Sequence, residues 1–219
     1  MSADSNESLI ASLRQAVIDG NAAAAAAATE RALAAGLPPR MLVDDALIPA
    51  MDEAGRLFEC GEFFVPELLV AARALKASQA LITPLLAGSP ASARGRVAIG
   101  TVKGDMHDIG KNLVVALLQG GGFEVIDLGA DVPPERFVAS VTNDRADIIG
   151  LSALLTTTML QMKSTVRALE DAGVRRSVKV IVGGAPVTQR FADEVGADGY
   201  ADNAAAAVVL ARRLMGQPS

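Results

Sequence analysis

The chain has 219 residues and a mass of 22.5 kDa, enough for one large domain or two small ones, with a single His, a single Cys and no Trp. With only His107 and Cys60 to offer, it excludes a zinc site built from several imidazoles and thiolates, and any disulfide within the chain. Hydrophobic residues at 51% against 21% charged fit a globular core, and a net charge of −5 argues against broad electrostatic capture of nucleic acid.

The opening segment, Met1 to Glu7, is acidic and lacks the basic region of a secretory signal. The run Ala22–Ala28 is hemmed in by Asp19, Glu30 and Arg31, too short to span a bilayer and better read as helix. The expectation is a cytoplasmic protein with neither a membrane nor a nucleic acid as partner. Up to about Leu86 the pattern is helical. Leu9, Leu13, Ala16 and Val17 mark a first helix that stops at Gly20-Asn21, and a second runs through the Ala tract to Ala35 and Gly36. A third carries Leu42, Ala46, Ile48, Met51 and Leu57 and breaks near Cys60-Gly61. A fourth starts near Pro66 and continues through Leu68, Leu69, Ala72, Leu75 and Leu81. Four helices with short connections predict a four-helix bundle over residues 1–89.

Residues 88–95 form a small-residue linker, after which the pattern changes. Val97–Val102, Phe123–Leu128, Ile148–Ser152, Val178–Val182 and a short Gly199–Ala201 read as strands separated by helices, with a last helix from Ala204 to Leu214. This predicts an α/β domain over 90–219, a five-stranded parallel sheet with helices on both faces, whose ligands bind beyond the carboxyl ends of the strands. Charge divides along the same line. Residues 1–89 hold eleven acidic and six basic side chains, and the rest holds fourteen of each. The acidic helical face reads as a solvated surface, with docking of a partner as the sharper alternative.

The first strand runs into Lys103-Gly104-Asp105-Met106-His107-Asp108-Ile109-Gly110, so the only His lies at the expected ligand-binding edge, two residues after an Asp. A carboxylate there can accept from one ring nitrogen, fix the tautomer and leave the other nitrogen for a metal. One imidazole cannot build a protein metal site, but it can complete a metal whose other ligands arrive with a macrocycle. An incidental surface His is the other reading of this residue taken alone. Cys60, in a helix connection, reads as inert.

Asp105-x-His107-x-x-Gly110 resembles the Asp-x-His-x-x-Gly motif of cobalamin-binding domains that hold the cofactor base-off and His-on. Ser152-Ala153-Leu154-Leu155-Thr156-Thr157-Thr158-Met159 is similar to that family's Ser-x-Leu loop after the third strand. Gly183-Gly184-Ala185-Pro186 is similar to its Gly-Gly loop after the fourth. The stretch Gly55–Leu69 resembles the helical cap of methionine synthase and of methyltransferase corrinoid proteins. The resemblance covers nearly the whole chain, and in size and layout it points to the small corrinoid proteins of bacterial and archaeal methyltransferase systems.

That resemblance implies a cobalamin or related corrinoid cofactor with His107 as lower cobalt ligand, Asp105 bonded to the imidazole and Thr158 as the third member of the relay. It implies that Gly104, Met106, Asp108, Ile109 and Gly110 line the loop beneath the corrin. Ser152, Leu154, Thr156, Gly183, Gly184 and Ala185 line a slot for the displaced base, where missing side chains let the flat base lie against the backbone. It further implies that Phe64, with Leu68 near it, covers the upper face, although Phe58 and Phe63 are equally aromatic. By the same resemblance the chain has no complete reaction of its own. It carries a methyl group through Co(I) and methyl-Co(III) from a substrate-specific methyltransferase subunit to a second methyltransferase acting on tetrahydrofolate or coenzyme M. A reductive activase is a further implied partner, and the linker is the hinge on which the cap swings away. The competing classes are a cobalamin-dependent sensor or light receptor, which usually carries an added DNA-binding module, the small subunit of an adenosylcobalamin mutase, which ordinarily lacks the cap, and a flavodoxin-like domain with no cofactor.

Overall fold

Alanine favours helix most strongly, and the Ala22–Ala28 tract lies inside a helix whose first turn is capped by Asn21 Oδ1, which accepts the Ala24 N–H at 3.0 Å. In the computed structural model, which describes residues 3–86 and 94–217, this helix is one of a set that fills the first half of the chain. In chain order these are α1 Ala3–Ile18, α2 Ala22–Ala34, α3 Pro39–Leu42, a π-helical stretch Val43–Leu47, α4 Ile48–Glu59 and α5 Val65–Leu86. Leu13, Val17, Ala25, Ala28, Ala32, Leu42, Met51, Leu68, Leu75 and Ile82 are buried in this unit, and the small alanines of α2 let its neighbours approach closely. Among the described residues, α5 alone has the length and apolarity to cross a membrane. Its buried positions Leu68, Ala71, Ala72, Leu75, Ser78 and Ile82 recur every three or four residues, the stripe of a helix packed on one face.

The third predicted helix is continuous in direction but widens at Val43–Leu47, where Ile48 N–H bonds to Val43 O, five residues back. Pro49 explains the widened turn. It has no N–H to give, and its ring crowds the carbonyl four residues earlier, that of Asp45. The Arg14 guanidinium on α1 takes that carbonyl instead, at 2.6 Å.

The second unit contains β1 Arg96–Thr101, α6 Ile109–Gly120, β2 Glu124–Asp127, α7 Pro134–Thr142, β3 Ile148–Ser152, α8 Leu160–Asp171, a 3-10 turn Arg175–Ser177, β4 Lys179–Gly183, α9 Gln189–Val195, β5 Gly199–Ala201 and α10 Ala204–Leu214. All strand pairings are parallel, in the order β2-β1-β3-β4-β5. The central strands are apolar between their ends because helices cover both faces, with Ala98, Ile148, Ile149, Val180 and Val182 fully buried. The chain divides into these two compact units. The boundary expected at 89/90 and most of the linker expected at 88–95 lie outside the described residues. The linker's last two residues are not free: Arg94 O accepts from Gln217 Nε2 at 2.6 Å and Gly95 O from Glu124 N–H at 3.0 Å, so both are tied into the second unit.

The strand order reverses between β1 and β3. In an open parallel sheet, the loops that leave those two strands at their carboxyl ends border a crevice that nothing else in the sheet covers.

Candidate functional site

The β1–α6 loop turns at Gly104, whose φ of +82° is open to glycine at little cost. It then sends the Asp105 side chain inward and leaves His107 outward. Asp105 is fully buried, whereas 51% of the His107 side chain is exposed. An isolated carboxylate could not survive such burial as an anion, yet every direction around this one is filled by a donor. Oδ1 receives the His107 N–H at 3.0 Å and lies 2.8 Å from His107 Nδ1. Oδ2 receives the Leu154 N–H at 2.8 Å and the Thr158 hydroxyl at 2.6 Å. Burial by itself pushes the carboxyl pKa up. The Thr158 hydroxyl, the Leu154 and His107 amides and the imidazole outweigh it and hold Asp105 well below the usual carboxylate range.

A carboxylate only accepts, so Nδ1 of His107 carries the proton, and Nε2 presents its lone pair with no protein partner among the described residues. The Thr158 hydroxyl also lies 3.0 Å from Leu155 O, but its one proton goes to the shorter, charged acceptor. Thr158 and Leu154 both sit on the β3–α8 loop, so Asp105 joins the two loops that border the crevice.

Two residues not singled out from the sequence complete the support. Asp131, on the loop after β2, adopts φ +54°, a left-handed conformation uncommon outside glycine. There its carboxylate accepts the Gly104 N–H at 2.7 Å and its own N–H donates to Asp105 O at 3.0 Å. The Thr101 hydroxyl, fully buried at the end of β1, donates to His107 O at 2.9 Å. The available signal was position, since Thr101 ends β1 and Asp131 lies on the loop that follows β2.

Residues 95–209 match a family model described as a B12 binding domain, and residues 9–82 match a second with the same description. The chain belongs to the B12-binding corrinoid proteins. It is 44% identical over 212 residues to dimethylamine corrinoid protein 1 of Methanosarcina acetivorans, a match covering 96% of this chain and 99% of that one. Among solved structures it is similar to a cobalamin-binding protein from Desulfitobacterium hafniense, with TM-score 0.78, 33% identity and coverage of 94% and 98%. It is also similar to a chain of the methanol:cobalamin methyltransferase complex from Methanosarcina barkeri, with TM-score 0.87, 31% identity and coverage of 97% and 81%. This corrinoid protein is thus of the type that carries a cobalamin cofactor between methyltransferase partners.

The residues present fit such a cofactor. Among the described residues no group of three or more His, Cys, Asp or Glu could hold a metal ion, so the protein offers a single imidazole. Met106 and Ile109, on either side of His107 in sequence, are 73% and 80% exposed, and Leu154 and Leu155 on the neighbouring loop and Leu160 at the start of α8 are exposed as well. Five large apolar side chains left in water on two adjoining βα loops and the helix starts that follow them suit a broad apolar ligand better than they suit solvent. A Cβ on Gly110 would meet nothing within 4 Å, so the first turn of α6 leaves open space beside the imidazole's loop.

The other expected site residues fall less evenly. Ser152 is half-buried at the end of β3, and Thr156 is exposed on the β3–α8 loop. Gly183 ends β4 and Gly184 follows it, but their missing side chains have a reason internal to the chain. A Cβ on Gly184, at φ +129°, would collide with the Ala153 carbonyl oxygen, and one on Gly183 would press on Ala201 O at 2.9 Å. Ala185 beyond them is exposed, and so is Asp108, whose carbonyl accepts the Asn112 N–H at 2.8 Å as α6 begins.

Phe64 and Leu68 stand one turn apart and differ in exposure. Phe64 is 66% exposed, whereas Leu68 has no exposed surface and belongs to the buried face of α5. Phe64 directly precedes α5 and opens it: its carbonyl accepts the Leu68 N–H at 3.2 Å, and its N–H is held by Glu67 Oε2 at 2.9 Å. Phe58 and Phe63 are half-buried, which leaves Phe64 as the exposed aromatic of the three.

Proposed function

We propose that this corrinoid protein, in the cytoplasm, receives a methyl group from a substrate-specific methyltransferase and delivers it to a second methyltransferase acting on tetrahydrofolate or coenzyme M, with the cofactor held base-off and His-on through His107. The observation that supports this most directly is the buried Asp105 carboxylate, which fixes Nδ1 of the imidazole as donor and frees Nε2 for a metal. A bound corrinoid supplies a cobalt that accepts a methyl group when reduced and releases it to a nucleophile. The protein's share is to set how basic the lower ligand is. Asp105 takes the Nδ1 proton's hydrogen bond and so increases electron donation from Nε2, while Thr158 and the Leu154 amide compete for the same carboxylate and limit that push. Met106, Ile109 and Gly110 would hold the underside of the ring, and Ser152, Leu154, Thr156, Gly183, Gly184 and Ala185 the displaced base. Phe64 is the cap residue proposed over the upper face, and a reductive activase is the further partner proposed to restore the reduced cobalt.

The test is transfer itself. Protein reconstituted with hydroxocobalamin and chemically reduced is mixed with a partner methyltransferase and an isotopically labelled methylamine or methanol. Label retained by the protein and then passed to tetrahydrofolate or coenzyme M when the second methyltransferase is added supports the reading. Stable uptake of adenosylcobalamin with light-dependent assembly, and no methyl uptake from any donor, contradicts it in favour of a sensor.

A further inference from the structure

Lys111 lies in the first turn of α6 with 1% of its side chain exposed. Lysine is almost never buried this completely unless paired, its desolvation is costly, and the start of a helix is the end whose dipole repels a cation. A methionine would fill the same space without those penalties, so stability alone does not explain the residue.

Its bonds point elsewhere. Nζ lies 2.6 Å from Asp127 Oδ1 at the end of β2 and 2.6 Å from Asn112 Oδ1. Asn112 Nδ2 donates to Asp108 Oδ2 at 3.0 Å, and Asp108 directly follows His107. Asp127 Oδ1 also accepts the Gly129 N–H at 2.9 Å, which orders the start of the loop that bears Asp131. Asp131 in turn holds Gly104 and Asp105. The buried ammonium therefore stands behind both ends of the His107 loop, reaching one through Asn112 and Asp108 and the other through the β2–α7 loop.

We infer that Lys111 is a positioning residue, whose buried ammonium, shared by Asp127 and Asn112, sets where α6 begins and hence where the His107 imidazole stands. It touches neither the imidazole nor its carboxylate. Asp127 is 41% exposed, so replacing Lys111 leaves that carboxylate able to regain water, with no charge stranded in the core.

Two variants test this, Lys111→Met, and Asn112→Ala, which keeps the ion pair with Asp127 and removes the amide that links the ammonium to Asp108. The first readout, on cofactor-free protein, is amide hydrogen exchange of residues 103–110 against β3 and β4 as internal references. The second, which rests on the corrinoid reading above, is the visible spectrum of protein saturated with aquocobalamin. Exchange at His107 and Asp108 that rises several-fold in both variants while the strands stay protected, with a smaller His-ligated fraction of bound corrinoid, supports the inference. Unchanged loop exchange and spectrum in Asn112→Ala overturns it, as does a uniform rise that includes the strands. If Lys111→Met fails to fold, Asn112→Ala decides. If the wild type takes up no corrinoid, the carrier reading fails, and hydrogen exchange alone decides the role of Lys111.

Discussion

The Thr158 hydroxyl lies 2.6 Å from Asp105 Oδ2 although 53 residues separate them in sequence. That bond, together with the Leu154 N–H on the same oxygen, fastens the loop after β3 to the loop after β1 across the point where the strand order reverses. A hydrogen bond to a buried charge contributes about 1.5–3 kcal/mol. Thr158→Val is therefore expected to lower the stability of the cofactor-free protein by roughly 2 kcal/mol, and Thr158→Ser, which keeps the hydroxyl, by much less. Urea denaturation of the two variants measures the difference, and equal losses would show that the methyl group, not the hydroxyl, matters.

Asp105 gives a pH dependence with a definite sign. Its folded-state pKa is depressed, so its contribution to stability is complete above the ordinary carboxylate value of about 3.9 and is lost as pH falls from there through the folded pKa. Asp105→Asn must set an amide –NH2 against at least one of the donors it replaces, and roughly 2–4 kcal/mol of stability is expected to go with it at neutral pH. The gap between wild type and variant should stay constant from pH 7 to pH 5 and narrow only below about pH 4. Urea denaturation across that range checks it, and a gap that narrows between pH 7 and pH 5 would contradict the assigned anion.

Gly184→Ala is expected to be severe, because the new Cβ meets the Ala153 carbonyl in a backbone conformation that itself costs about 1–3 kcal/mol for a residue with a side chain. The equivalent change at Gly110 meets nothing within 4 Å and should leave the cofactor-free protein as stable as wild type. Thermal denaturation of the two variants separates a glycine demanded by the chain from one whose space is open.

Pro49 and Arg14 should be energetically coupled. Arg14→Ala leaves the Asp45 carbonyl without its donor and is expected to cost about 1 kcal/mol. In the Pro49→Ala background a backbone N–H becomes available for that carbonyl, so the same Arg14 change should cost less. A double-mutant cycle by urea denaturation reads the coupling directly.

Much of the fold was legible because hydrophobic runs and small-residue breaks alternate cleanly after the linker. The sequence reading places Ile148–Ser152, Gly199–Ala201 and the Ala204–Leu214 helix where the structure has them. The widened turn at Val43–Leu47 was not legible, since it depends on Pro49 acting on a carbonyl that a distant arginine then satisfies. At the site, Asp105, His107 and Thr158 could be named from the resemblance of the loop motifs to the family's. Asp131, Thr101 and Lys111 were not, because their roles come from side-chain contacts made only when β1, α6 and the loop after β2 are brought together. Burial was not legible either: Phe64 is exposed and Leu68 is buried although they stand one turn apart, and spacing alone does not separate the two.

The account stands or falls on the bond between His107 and a corrinoid's cobalt. The chain has one histidine, so the visible spectrum of aquocobalamin bound to wild type and to His107→Ala isolates that bond. The account predicts an imidazole-ligated spectrum in wild type and a base-off spectrum without imidazole in the variant. Identical spectra from the two proteins would contradict it.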